Sequence, residues 1–154
     1  LTHVGDSRIY IIKNGRMEQI TKDHSLVMDQ VRLGLITKEQ AETSPMKHVL
    51  SRALGVEATV EVDAEEHPLF PEDMLLLCTD GLNKMMGDIE IMAVIRAAQS
   101  PKTISETLIE AANAAGGRDN TTVIVALAQK ASLLDNLKSK ILKNKKAAGV
   151  SRDA

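Results

Sequence analysis

At 154 residues, 44% of them hydrophobic, the chain is sized for one domain with a buried core. Aromatic residues are only 1% and the net charge is −2, which excludes a base-stacking platform and an overall basic nucleic-acid binder. One cysteine, Cys78, excludes an internal disulfide framework and fits a reducing, cytoplasmic setting.

Residues 1–4 read as the end of a strand, so the chain is expected to begin mid-strand, as a fragment would. Arg8-Ile9-Tyr10-Ile11-Ile12-Lys13, Asn14-Gly15 and Arg16-Met17-Glu18-Gln19-Ile20 read as a hairpin. Asn-Gly supplies the two positive-φ residues of a type I′ turn. Residues 21–55 change texture. Leu26, Val27, Val31 and Leu35 recur at helical spacing, Gly34 is a stop, and Thr37 with Gln40 makes a capping box for a second short helix ended by Pro45. Residues 59–64 alternate, with Val60, Val62 and Ala64 on one side, which predicts a half-buried strand. Pro68 and Pro71 then mark a connection.

Residues 74–79 read as a buried strand. Asp88 is the expected N-cap of a helix carrying Ile91, Ile95 and Ala98 on one face. Pro101 opens another helix, with Ile104, Leu108, Ala111 and Ala115 as its buried stripe and Gly116-Gly117 as its end. Residues 121–128 read as the last strand. Strands, a helical insert, strands, two helices and a strand suit a layered α+β domain.

Three aspartates stand among glycines at predicted turns: Gly5-Asp6, Asp80-Gly81 and Gly117-Arg118-Asp119. Glycine lets backbone approach a ligand closely. A carboxylate at the mouth of a buried strand needs a partner, and a hard divalent cation is one. Any one of the three is better read as a turn former or cap; together they favour an oxygen-rich cage for Mg²⁺ or Mn²⁺. Spacing leaves open whether they converge.

The segments His3-Val4-Gly5-Asp6-Ser7-Arg8, Ile20-Thr21-Lys22-Asp23-His24-Ser25, Val49-Leu50-Ser51-Arg52-Ala53-Leu54-Gly55, Leu76-Leu77-Cys78-Thr79-Asp80-Gly81-Leu82 and Asp119-Asn120-Thr121-Thr122-Val123 resemble, in order and spacing, motifs of the metal-dependent protein phosphatases of the 2C family, bacterial type. The resemblance covers the later half of that family's catalytic domain. It implies part of an α-β-β-α sandwich: an antiparallel sheet with helices on one face and a helical flap at about residues 21–57, within a domain half spanning 1–128.

The implied activity is hydrolysis of phosphoserine and phosphothreonine on proteins by a metal-bridged water, with two Mg²⁺ or Mn²⁺ ions and a third, weaker one. Asp80 and Asp119 match ligands of the first two ions, and Asp6, with Asp80, those of the third. Gly81, Asn120 and Arg52 are implied supporting residues, Asn120 bracing its loop and Arg52 bracing the flap against a carboxylate. The family's bridging Asp-Gly motif and its phosphate-gripping Arg have no counterpart in this sequence. The expectation is therefore that the chain alone is inactive. A second reading is a non-catalytic module that pairs with a separate N-terminal half, or with itself, through an open sheet. A silent regulatory relative is a third.

Other residues take plainer readings: Cys78 as an inert packed thiol, Met85-Met86 as core filler, His3 as a strand residue, His24 as a cap at the flap start and His48 as a surface flap residue. Residues 129–154 carry seven basic and two acidic side chains, leaving −7 on the first 128. This tail reads as a solvated linker, or as a short amphipathic helix at about 133–144 that docks on a partner. Membrane contact is the lesser reading.

Overall fold

The computed structural model describes residues 1–130. The elements are β1 (Thr2–His3), β2 (Arg8–Lys13), β3 (Arg16–Gln19), α1 (Leu26–Arg32), α2 (Lys38–Thr43), β4 (Asp63–Ala64), β5 (Met74–Cys78), α3 (Asp80–Asn83), α4 (Asp88–Ala97), α5 (Pro101–Ala114) and β6 (Val123–Leu127). The expected tail helix lies outside the described residues.

Four strands form one antiparallel sheet in the order β3-β2-β5-β6. The β2–β3 hairpin turns on Asn14 at φ 51° and Gly15 at φ 72°, the pair of left-handed residues that a type I′ turn demands. β5 lies between β2 and β6, with Cys78 opposite both Arg8 and Val123. Side chains alternate across these strands. Tyr10, Ile12, Leu76 and Cys78 face α4 and α5, where they meet Leu82, Met86, Ile91, Met92, Ile95, Ile104, Leu108 and Ala112 in one aliphatic, methionine-filled core. Leu76, Leu82, Ile91 and Leu108 are completely buried, each contributing about 1.5–3 kcal/mol of apolar burial. Cys78 belongs to this core, and burial pushes its thiol up to about 11, so it is inert at neutral pH. Ile9, Ile11, Leu75 and Leu77 face the other way. With Leu1, Thr2, Ile20, His67 and Leu69 they line an open groove of about 400 Å³.

Four sequence readings need correction. The strand expected over residues 59–64 is only Asp63–Ala64; its ladder partner β1 is two residues long, and Val62 is exposed. The α4 N-cap is Gly87, not Asp88: Glu90 reaches back to accept from the Gly87 amide at 2.8 Å, so Asp88 starts the helix proper. On α5 the buried stripe is Ile104, Leu108 and Ala112, since the helix ends at Ala114 and Ala115 is its exposed C-cap. On α1 only Val27 is buried; the helix stops at Arg32, so Leu35 falls beyond it and is exposed. The Thr37–Gln40 capping box forms as read, with Thr37 Oγ1 accepting from the Gln40 amide and Gln40 Oε1 from the Thr37 amide.

Candidate metal centre

β5 delivers Asp80 to one end of the sheet, and the turn before β6 delivers Asp119 to the same end. Thr79 stitches the two turns together. Its amide donates to the Thr122 carbonyl at 3.1 Å, its hydroxyl donates to the Asn120 carbonyl at 3.2 Å, and that hydroxyl accepts from the Thr122 amide at 3.0 Å. Gly81 makes this contact possible. A Cβ there would sit 2.3 Å from the Asn120 carbonyl oxygen, so no other residue fits without moving backbone.

The two carboxylates share one cation. Lys84, at the end of α3, places its ammonium 2.5 Å from Asp80 Oδ2 and 2.8 Å from Asp119 Oδ2. Hydrogen bonds to Asp119 and then Asp80 hold the Lys84 ammonium well above the ordinary lysine range. Lys84 likewise holds the Asp119 carboxyl below its usual value, helped by the Asn120 amide, which donates to Asp119 Oδ1 at 2.8 Å. Asp6 approaches from the β1–β2 turn. Partial burial raises its pKa, and the negative charge of Asp80 raises it further. Asp80 thus shares Lys84 with Asp119 and bears electrostatically on Asp6.

This end of the sheet is braced from below. Asn83 of α3 donates to the Tyr10 hydroxyl at 2.7 Å and accepts from the Cys78 thiol at 3.1 Å. Arg8 donates to the same hydroxyl at 3.3 Å and grips Asp23 through Nε and a terminal nitrogen, the latter at 2.7 Å. Burial, more than Arg8 opposes it, raises the Tyr10 phenol to about 12.

The flap joins beside the Asp6 turn. His24 is completely buried, its Nδ1 accepting from the Gly5 amide at 3.1 Å. Its Nε2–H therefore donates, and Asp63 Oδ2 lies 3.2 Å away. That hydrogen bond, then one from Arg52 at 2.8 Å, holds the Asp63 carboxyl below its ordinary value. Arg52 also pairs with Glu61 at 3.0 Å.

The donors fit a hard divalent cation: they are carboxylate oxygens, and two of them already converge on a single cation. Among the described residues no cluster of three metal-ligating side chains is assembled. Asp80 and Asp119 supply a half-site, Asp6 standing near but outside that pair.

A sequence profile of the family described as Stage II sporulation protein E (SpoIIE) matches residues 10–129. The chain belongs to this PP2C-type family. The serine/threonine phosphatase stp of Listeria welshimeri is 43% identical over 125 residues, which are 81% of this chain and 50% of that protein. A serine/threonine phosphatase of S. agalactiae superposes with a TM-score of 0.78 at 37% identity, over 82% of this chain and 53% of that one. The catalytic domain of the serine/threonine phosphatase PstP, solved with two manganese ions, superposes with a TM-score of 0.68 at 36% identity, over 84% and 53%. The chain spans about half the length of the curated relatives it matches. Its antiparallel sheet with helices on one face is the PP2C-type fold.

In this PP2C-type chain the two turns bring Gly81 against Asn120, and Lys84 joins Asp80 to Asp119. Arg52 sits elsewhere, at the flap base with Asp63 and Glu61. His3 is a buried strand residue and His48 an exposed flap residue, as read. His24 is not the cap at the flap start: Ser25 caps α1, its Oγ accepting from the Met28 amide, while His24 ties the flap to Gly5. Sequence reasoning missed Lys84, because a lysine four residues after a helical aspartate reads only as a solvated pair. It also missed Asp63 and Asn83, whose partners are distant in sequence.

Proposed function

We propose that this chain supplies the later metal-binding half of a Mg²⁺- or Mn²⁺-dependent phosphatase acting on phosphoserine and phosphothreonine in proteins, in a cytoplasmic setting. The carrying observation is the shared cation of Asp80 and Asp119, held in place by the Thr79–Thr122 stitching. Divalent ions at such a site activate water at neutral pH and offset charge on a transferring phosphoryl group. Asp80 and Asp119 would hold the ion they have in common, and Asp6 with Asp80 a further, weaker one. Gly81 and Asn120 keep the two turns in register. Arg52, Asp63 and His24 fix the base of the flap, whose position governs access.

Residues 1–128 form the domain half in this reading. Two carboxylates make an incomplete cage for a divalent ion. The chain alone is therefore expected to show negligible turnover of a phosphothreonine peptide with Mn²⁺. Mixing it with a separately produced N-terminal half of the Listeria welshimeri phosphatase should restore hydrolysis. A stable mixed complex with no turnover would overturn the proposal.

The second reading, a non-catalytic module, draws on the apolar sheet face of Ile9, Ile11, Leu75 and Leu77. It predicts association through that face, and a clean monomer on size exclusion at high concentration would count against it.

A further inference from the structure

Lys84 lies outside the segments that carry the family resemblance, yet it is the cation that Asp80 and Asp119 share. We propose that Lys84 is a tethered counter-ion that competes with the divalent cation for Asp80 and Asp119, and so sets the metal affinity of the site. This rests on the metal-binding reading of those two aspartates.

The geometry makes the competition direct. The ammonium addresses Oδ2 of both carboxylates, at 2.5 and 2.8 Å. A divalent ion at that position would need the same oxygens at about 2.0–2.6 Å. Two cations cannot occupy that space together, because their repulsion at such range is large. The tether also matters. Lys84 lies four residues from Asp80, and its amide is anchored to the Asp80 carbonyl at 2.9 Å. The ammonium therefore never leaves the neighbourhood, and its effective concentration at the two carboxylates is high. Metal loading becomes an exchange reaction in which the lysine swings out as the ion enters. The Lys84 side chain is 30% exposed, so its way out is open to solvent. The same ammonium keeps two like charges together when no metal is bound, which protects the turn that Thr79 and Asn120 build.

The opposite role is also physically coherent. Lys84 could hold the carboxylates in place for the ion, and its removal would then weaken binding. The two roles predict opposite signs. The test is Mn²⁺ titration of the full chain, with free Mn²⁺ read by electron paramagnetic resonance, for the wild type, Lys84→Met, Lys84→Arg and Asp119→Asn.

Competition predicts that Lys84→Met tightens the dissociation constant at least about fivefold, the factor for two unit charges 4 Å apart in bulk-water dielectric and so a lower bound for a divalent ion. Lys84→Arg, which retains the charge, should stay near the wild type. In metal-free buffer Lys84→Met should melt at a lower temperature than the wild type, with the order reversed in saturating Mn²⁺. A Lys84→Met constant equal to or weaker than that of the wild type, while Asp119→Asn abolishes binding, overturns the proposal and leaves the metal reading standing. Failure of both the wild type and Lys84→Met to bind Mn²⁺ overturns both.

Discussion

Gly81→Ala is expected to destabilise the protein by at least about 2–3 kcal/mol, the upper part of the range for overpacking. The added methyl would meet the Asn120 carbonyl oxygen at 2.3 Å, its carbon at 2.9 Å and Thr121 Oγ1 at 2.9 Å. Two of these atoms are backbone and cannot rotate away. The 119–122 turn must therefore shift, and three hydrogen bonds between Thr79 and that turn shift with it. In a domain of this size the melting temperature should fall by roughly 4–12 °C. The shift also separates Asp119 from Asp80, so metal binding should weaken together with stability. Gly87→Ala is the matched control, because a methyl there meets only the Glu90 carboxylate at 3.8 Å. Thermal melts of the two variants should differ clearly; equal melting temperatures would show that the two turns are not in contact.

The second large effect concerns activity in the reconstituted phosphatase. Asp80→Asn is expected to lower kcat by at least about 100-fold, since residues that only orient a metal ligand already cost 10–100-fold. Asp80 shares Lys84 with Asp119 and bears electrostatically on Asp6, so losing its charge disturbs both. Asp6→Asn should cost less, because Asp6 lies outside the pair that shares a cation. Steady-state rates on a phosphothreonine peptide, at several Mn²⁺ concentrations, measure both. A loss at Asp6 larger than that at Asp80 would contradict this ranking.

How much of this was legible in the sequence depends on how local each signal is. The Asn14-Gly15 turn, the Thr37–Gln40 box and the β5 strand are written in neighbouring residues, and the structure has them where the pattern put them. The alternation at Val60 and Val62 was equally local and misled, because a strand needs a partner and β1 offers only Thr2 and His3. Gly81 was read as a glycine that lets backbone approach a ligand and as a motif residue; the actual reason, contact with Asn120 39 positions away, is visible only in three dimensions. His24 was misjudged for the same cause. Its Gly5 and Asp63 partners lie far off in the chain, and nothing in Asp23-His24-Ser25 indicates complete burial. The acidic turns were recognisable as motifs, but Lys84 between their carboxylates was not, since a lysine following a helical aspartate usually signals only a solvated pair.

The most direct test of the account is where Mn²⁺ binds. Crystals of the chain soaked in Mn²⁺ and measured at the manganese absorption edge should show an anomalous peak within coordination distance of Asp80 and Asp119, with the Lys84 ammonium displaced from between them. Manganese found only away from this end of the sheet, with Lys84 still joining the two aspartates, would contradict it.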